Sequence, residues 1–160
     1  MVQLIVGNKG KGKTKHLLEK VNLQVKETKG NIVYLDKSTK HMYELNNKVR
    51  LIDMSEYDLK DTSEFIGFIY GLIDVSQYMI TNHDEFVGFI CGIVSQDHDL
   101  EQMFLDSFLK IACLENEDIT PVIEKLEKIS QNYGIDFVLS VSMDESELPE
   151  ALKSKIIVSL

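Results

Sequence analysis

The chain has no tryptophan, one arginine, two cysteines and no apolar run that approaches the roughly 18 residues needed to span a bilayer. The last absence excludes a transmembrane helix, and the N-terminus lacks the charged start and small-residue cleavage site of a secretory signal. With only Cys91 and Cys113, no disulfide framework is indicated, and a reduced, cytoplasmic protein is expected. The histidines His16, His41, His83 and His98 are scattered and offer no Cys/His spacing that suits zinc. No nucleophile elbow and no Cys–His pattern for covalent catalysis is present. Nor are basic residues interleaved with aromatics, as in proteins that stack single-stranded nucleic acid.

What is present is an uneven charge. The net charge is −9, yet residues 1–50 carry 11 of the 17 basic residues and only four acidic ones, a local balance of +7. The remaining 110 residues carry −16. An acidic total argues against a general nucleic-acid surface, which needs a positive footprint. The basic excess instead surrounds a glycine-rich stretch, where Lys9, Lys11, Lys13 and Lys15 alternate with Gly10, Gly12 and Thr14. A small anionic ligand would want such a site.

Strand-like and helix-like patterns alternate from end to end. Val2–Val6, Ile32–Leu35, Val49–Ile52, Met103–Leu105, Ile135–Met143 and Lys155–Ser159 read as strands. Leu17, Leu18, Val21 and Val25 fall on one helical face ending near Gly30, and Phe86, Ile90, Ile93 and Val94 mark a mostly apolar helix. Another amphipathic helix runs through Ile119, Val122, Leu126 and Ile129, with Thr120 as N-cap, Pro121 at its first position and Gly134 just past its end. A short helix is expected near Leu148–Lys153. Alternating βα units of this length predict an α/β, three-layer α-β-α architecture with a mainly parallel sheet. With 160 residues and no linker, one domain over 1–160 is expected. Ligands of such sheets sit beyond the strands' carboxyl ends, so Gly7, Asp36, Asp106 and Ser142 should converge.

One internal repeat interrupts this order. Residues 51–71 (LIDMSEYDLKDTSEFIGFIYG) and 72–92 (LIDVSQYMITNHDEFVGFICG) are adjacent 21-residue segments, identical at 11 positions. Two copies are too few for a solenoid, and a tandem duplication inside one domain fits better. Each copy reads as a strand end, a polar turn and the start of an apolar helix. Its default role is structural, and it becomes a partner-binding face if Phe65 and Phe68 are exposed.

The pattern G-x-x-x-x-G-K-[ST] is met by Gly7, Asn8, Lys9, Gly10, Lys11, Gly12, Lys13 and Thr14. It follows a predicted strand and opens a predicted helix, the context a phosphate loop requires. Glycines let successive backbone N–H groups turn inward around an anion, and the helix N-terminus adds its positive end. The expected ligand is therefore a nucleoside triphosphate, ATP with Mg²⁺. Lys13 should reach the β- and γ-phosphates and the Thr14 hydroxyl should ligate Mg²⁺. Asn8, Lys9, Gly10 and Lys11 contribute mainly backbone donors.

A second acid should support the metal from a later strand. Asp106, after Met103–Leu105, fits that Walker-B position, with Asp36, Asp53, Asp97 and Asp99 as alternatives. Ser107 follows it in place of the glutamate that activates water in many ATPases, which lowers the expected rate of hydrolysis. Ser142 lies where related folds place a sensor of the γ-phosphate, or is a solvent-exposed strand-end serine. Any arginine finger must be Arg50, come from another subunit or be replaced by lysine, and Arg50 itself reads first as a surface residue beside the third strand.

At Gly7–Thr14, and through the block Ser95-Gln96-Asp97-His98-Asp99-Leu100 to Phe104-Leu105-Asp106, the chain resembles a family of short bacterial P-loop ATP-binding proteins. Some members are labelled twitching-motility ATPases. The resemblance covers nearly the whole chain except the duplication. It implies a P-loop NTPase fold, ATP as ligand and a cytoplasmic location, with no established substrate. The domain order also resembles a RecA-type or thymidine-kinase-like core. Three functions follow as expectations: a slow or partner-stimulated ATPase acting as switch or scaffold with an unidentified protein partner, a small-molecule kinase, or a motility or secretion ATPase subunit of an oligomer.

Overall fold

A computed structural model describes residues 1–54 and 82–160. Six strands, β1 (Val2–Val6), β2 (Asn31–Asp36), β3 (Val49–Asp53), β4 (Leu100–Leu105), β5 (Asp136–Val141) and β6 (Ile156–Ser159), form one sheet in the order β3-β2-β4-β5-β1-β6. Every pairing is parallel. The helices are α1 (Lys13–Gln24), α2 (His83–Gln96), α3 (Phe108–Ile111), α4 (Thr120–Tyr133) and α5 (Glu150–Lys153). Among the described residues no helix is long and apolar enough to cross a membrane.

The three layers follow from the period-2 alternation of strand side chains. Ile5, Ile32, Tyr34, Phe104 and Val138 point to one face, where they bury Leu17, Leu18 and Val21 of α1. Their chain neighbours Leu4, Val6, Val33, Leu35, Met103, Leu105, Phe137 and Leu139 point to the other. That second face buries Phe86 and Ile90 of α2, Val122, Ile123 and Leu126 of α4, and Leu152 of α5. Strands covered on both faces read as continuous apolar runs, which is why Val2–Val6 and Met103–Leu105 stand out in the sequence.

Several boundaries differ from expectation for identifiable reasons. Thr120 is not the N-cap of α4: it is the first helical residue, and its N–H donates to the Asp118 carboxylate at 2.9 Å. That bond holds the exposed Asp118 carboxyl below the usual carboxylate range. α1 ends at Gln24 rather than near Gly30, giving way to a turn in which Glu27 N–H donates to the Gln24 carbonyl at 2.9 Å. β5 stops at Val141, so Ser142 lies just beyond the strand. A 3₁₀ segment, Thr39–Glu44, and the four-residue α3 carry no apolar period long enough to be read beforehand.

Of the duplication, only its ends fall within the described residues: 51–53 of the first copy finish β3, with Met54 just beyond, and in the second copy Asn82 caps α2 and 83–92 form its first part. Phe86, the second-copy counterpart of Phe65, is fully buried. Phe65 and Phe68 themselves lie outside the described residues.

Candidate functional site

The carboxyl ends of β1, β4 and β5 meet at a cavity of about 700 Å³. Its floor is the loop between β1 and α1. Gly7 has φ +146°, and a Cβ there would stand 2.8 Å from the Leu160 carbonyl oxygen, so only glycine fits the exit from β1. Gly12, at φ +92° in the left-handed region, then turns the chain directly into α1 with no side chain capping the helix. The first turn of α1 contains no acid. Its N–H groups and the positive end of its dipole therefore face the cavity unneutralised.

Lys13 is buried at 6% exposure, and its Nζ donates to the carbonyls of Gly7 at 2.6 Å and Asn8 at 2.9 Å. Burial lowers its pKa, and the nearby Asp106 charge acts in the opposite direction. An ammonium held by two carbonyls at the mouth of a helix N-terminus is positioned for an anion. Lys9, Gly10, Gly12 and Thr14 line the same cavity, whereas Lys11 is exposed outside it.

Asp106 is 1% exposed and sits where β4 ends. Its Oδ1 accepts from Ser140 Oγ at 2.5 Å, Ser107 N–H at 2.8 Å and Thr14 Oγ1 at 3.2 Å, and its Oδ2 accepts from the Tyr34 hydroxyl at 3.3 Å. The structure thus joins two residues separated by 92 positions, Thr14 and Asp106, in one contact. Tyr34 is fully buried, and its pKa is raised by burial first and then by the charges of Asp106 and Asp36.

The other expected residues fall as follows. Ser142 is exposed and lines the cavity. Asp36 is buried at the end of β2, with Oδ1 accepting from the Lys37 N–H at 2.6 Å and Oδ2 without a partner. Burial, and then the Asp106 charge, raises its pKa. Asp53 pairs in register with Asp36 on the outer strand, beyond the cavity lining. Asp97 and Asp99 flank the amino end of β4, the opposite edge of the sheet, where Asp97 accepts from Asn31 Nδ2 at 2.9 Å and from the Asp99 N–H at 3.2 Å. Arg50 is exposed near the amino end of β3.

Two contributors were missed in the sequence. Ser140 is buried within β5, donates to Asp106 and accepts from the Ser107 N–H at 2.9 Å. Tyr34 is the lone hydroxyl-bearing aromatic in an aliphatic strand, and a buried phenol needs a polar partner; that was its available signal. The wall opposite the loop is α3 with the turn after it, bearing Lys110, Glu115 and Asn116. The described non-glycine residues with positive φ, Ser107, Cys113 and Asn116, all belong to this wall, and such backbone strain gathers at functional sites.

No family model matches the chain, and no curated protein matches it. Among solved structures it is similar to a KaiC-like protein from the hyperthermophilic archaeon Pyrococcus horikoshii, with a TM-score of 0.56 and 18% identity over 96% of this chain and 67% of that one. At that identity the likeness establishes the fold alone: an α/β architecture with one all-parallel six-stranded sheet between helices.

Proposed function

We propose that the chain binds ATP with Mg²⁺ and hydrolyses it slowly or on stimulation by a partner protein, acting as a switch or scaffold. The observation that carries this reading is the buried Lys13 ammonium, held on the Gly7 and Asn8 carbonyls at the uncapped start of α1 beside the Thr14–Asp106 contact. We read 1–160 as one domain built around that site.

The chain's residues divide the work. Loop N–H groups and Lys13 bind the phosphates, and Lys13 moves from carbonyl oxygens to phosphate oxygens when they arrive. Thr14 Oγ1 and the Asp106 carboxylate, 3.2 Å apart, are hard oxygen donors of the kind Mg²⁺ takes alongside phosphates and water. Those two residues would hold the ion, which supplies charge neutralisation on the phosphates when bound. Ser140 and the Ser107 N–H fix Asp106 in place. Ser142, exposed on the cavity wall, is placed to sense the terminal phosphate. The residue after Asp106 is a serine in the left-handed region, which cannot take a proton from water as a carboxylate would. Slow intrinsic turnover follows.

One observation favours a kinase as a second reading. The cavity continues past the loop to Lys110, Glu115 and Asn116, leaving room for an acceptor beside the nucleotide. Isothermal titration with ATP, ADP and GTP, each with Mg²⁺, tests the binding claim and the base preference together. Micromolar ATP binding lost in Lys13→Ala supports it, and an affinity within twofold of the parent defeats it. Phosphate release with and without hydroxyl-bearing acceptors separates hydrolysis from transfer.

A further inference from the structure

Beyond the phosphate loop, a second cluster lies on the β2 side of the same sheet edge. One ligand atom each from Asp36, His41 and Asp106 lie within 4.8 Å of one another. Asp36 and Asp106 are 2% and 1% exposed, and His41 is half-buried on the 3₁₀ segment that follows β2. Two features separate this group from an ordinary acidic cluster. The Asp36 Oδ2 is buried and has no hydrogen-bond partner, a costly state for a carboxylate oxygen. His41 Nδ1 lies 2.7 Å from Glu44 Oε1. A carboxylate on one ring nitrogen fixes the tautomer and leaves Nε2 as the free lone pair, the arrangement metal-ligating histidines adopt. On Asp106, Oδ1 already accepts three hydrogen bonds and Oδ2 only one, from Tyr34, so Oδ2 has capacity to spare.

We infer that Asp36, His41 and Asp106 form a binding site for a divalent transition ion of the Zn²⁺ class, separate from the phosphate loop and filled without nucleotide. Two carboxylates and a neutral imidazole match the ion's charge, and three protein ligands leave a position for water. An imidazole among carboxylates favours Zn²⁺ over Mg²⁺, which prefers oxygen alone. Ligand bonds of roughly 2.0–2.2 Å separate tetrahedral ligands by roughly 3.4 Å, so from separations within 4.8 Å the trio need contract by no more than about 1.4 Å on binding. The segment bearing His41 is tied to α1 at its far end, where Asn22 Nδ2 donates to the Glu44 carbonyl at 2.8 Å, so the movement falls to the half-buried His41 side chain. The inference shares only Asp106 with the nucleotide site.

The test is calorimetric titration of Zn²⁺ into nucleotide-free protein. One ion per chain is expected, with a Kd raised at least about 100-fold in Asp36→Asn and in His41→Ala, and roughly tenfold in Glu44→Gln. Lys13→Ala should bind Zn²⁺ within twofold of the parent, and His41→Ala should bind ATP within twofold, so the failure of either site is read independently of the other. His41 is partly exposed, and circular dichroism checks that its variants remain folded, which keeps the test available if Asp36→Asn does not fold. The inference is overturned if no stoichiometric Zn²⁺ binds, if His41→Ala binds as tightly as the parent, or if a hundredfold excess of Mg²⁺ displaces the ion.

Discussion

Two of the long helices, α1 and α2, pack on opposite faces of the sheet and start in opposite ways. α2 begins at Asn82, whose side chain accepts from the N–H groups of Asp84 and Glu85 at 3.0 Å, and its first turn carries two acids. α1 begins at a glycine with no side-chain cap and no acid, and its first residue is a buried lysine. Both helices have the same unsatisfied N–H groups by construction. In α2 the protein satisfies them from within, and Asp84 also pairs with Lys125 of α4 to tie the helix down. In α1 no side chain caps them, the state that the proposed phosphate binding requires. The sequence composition around each start, asparagine and acids against glycines and lysines, separates a structural helix terminus from a binding one.

The largest effect expected is at the open terminus itself. Lys13→Ala should weaken ATP binding about 100-fold, the upper end for loss of a charge-assisted contact, while the melting temperature holds or rises, because a desolvated cation leaves the fold. Titration calorimetry and a thermal melt read the two together. Next, Asp106→Asn should reduce the Mg²⁺-dependent part of ATP affinity roughly tenfold, compared with and without EDTA, by weakening one of two hard donors. Ser140→Ala should cost about 2 kcal/mol by leaving the Ser107 N–H and Asp106 short of a partner. That appears as a melting point lowered by roughly 4–8 °C, with Ser142→Ala, at an exposed position, as the silent control. The smallest effect belongs to the closed terminus: Asn82→Ala should lower stability by about 1 kcal/mol and leave ATP affinity unchanged. If Asn82→Ala altered nucleotide binding, or Lys13→Ala destabilised the fold, the contrast between the helices would be wrong.

The parts of this molecule that were legible beforehand are those written in consecutive residues. Gly7–Thr14 carries its own geometry, since the glycines, the lysine and the helix start are adjacent. Asp106 was legible because the buried run Met103–Leu105 ends abruptly on a charge. The partners of Asp106 were not. Ser140 and Ser142 are two apart and share a face of the chain, so alternation cannot say which one meets the aspartate. The register of β5 against β4, Leu105 opposite Leu139, decides it. Tyr34, Asp36 and His41 reach Asp106 only because β2 lies beside β4, and that adjacency is a property of strand order. The histidine looked scattered in sequence because its neighbours come from strands 70 positions apart in the chain, Asp36 and Asp106. The fold class survived such gaps, since it needed only the alternation of patterns and no particular pairing.

The sheet order has a consequence for how the protein is made. β1 precedes the other described strands in the chain, yet both of its neighbours, β5 and β6, lie more than 125 residues further on. Until these emerge, the loop that follows β1 has no rigid base, and contacts so distant in sequence form slowly. A chain truncated before residue 136 would carry every atom of the Gly7–Thr14 loop and still lack both strands that flank its base, so the shape of that loop belongs to the finished sheet.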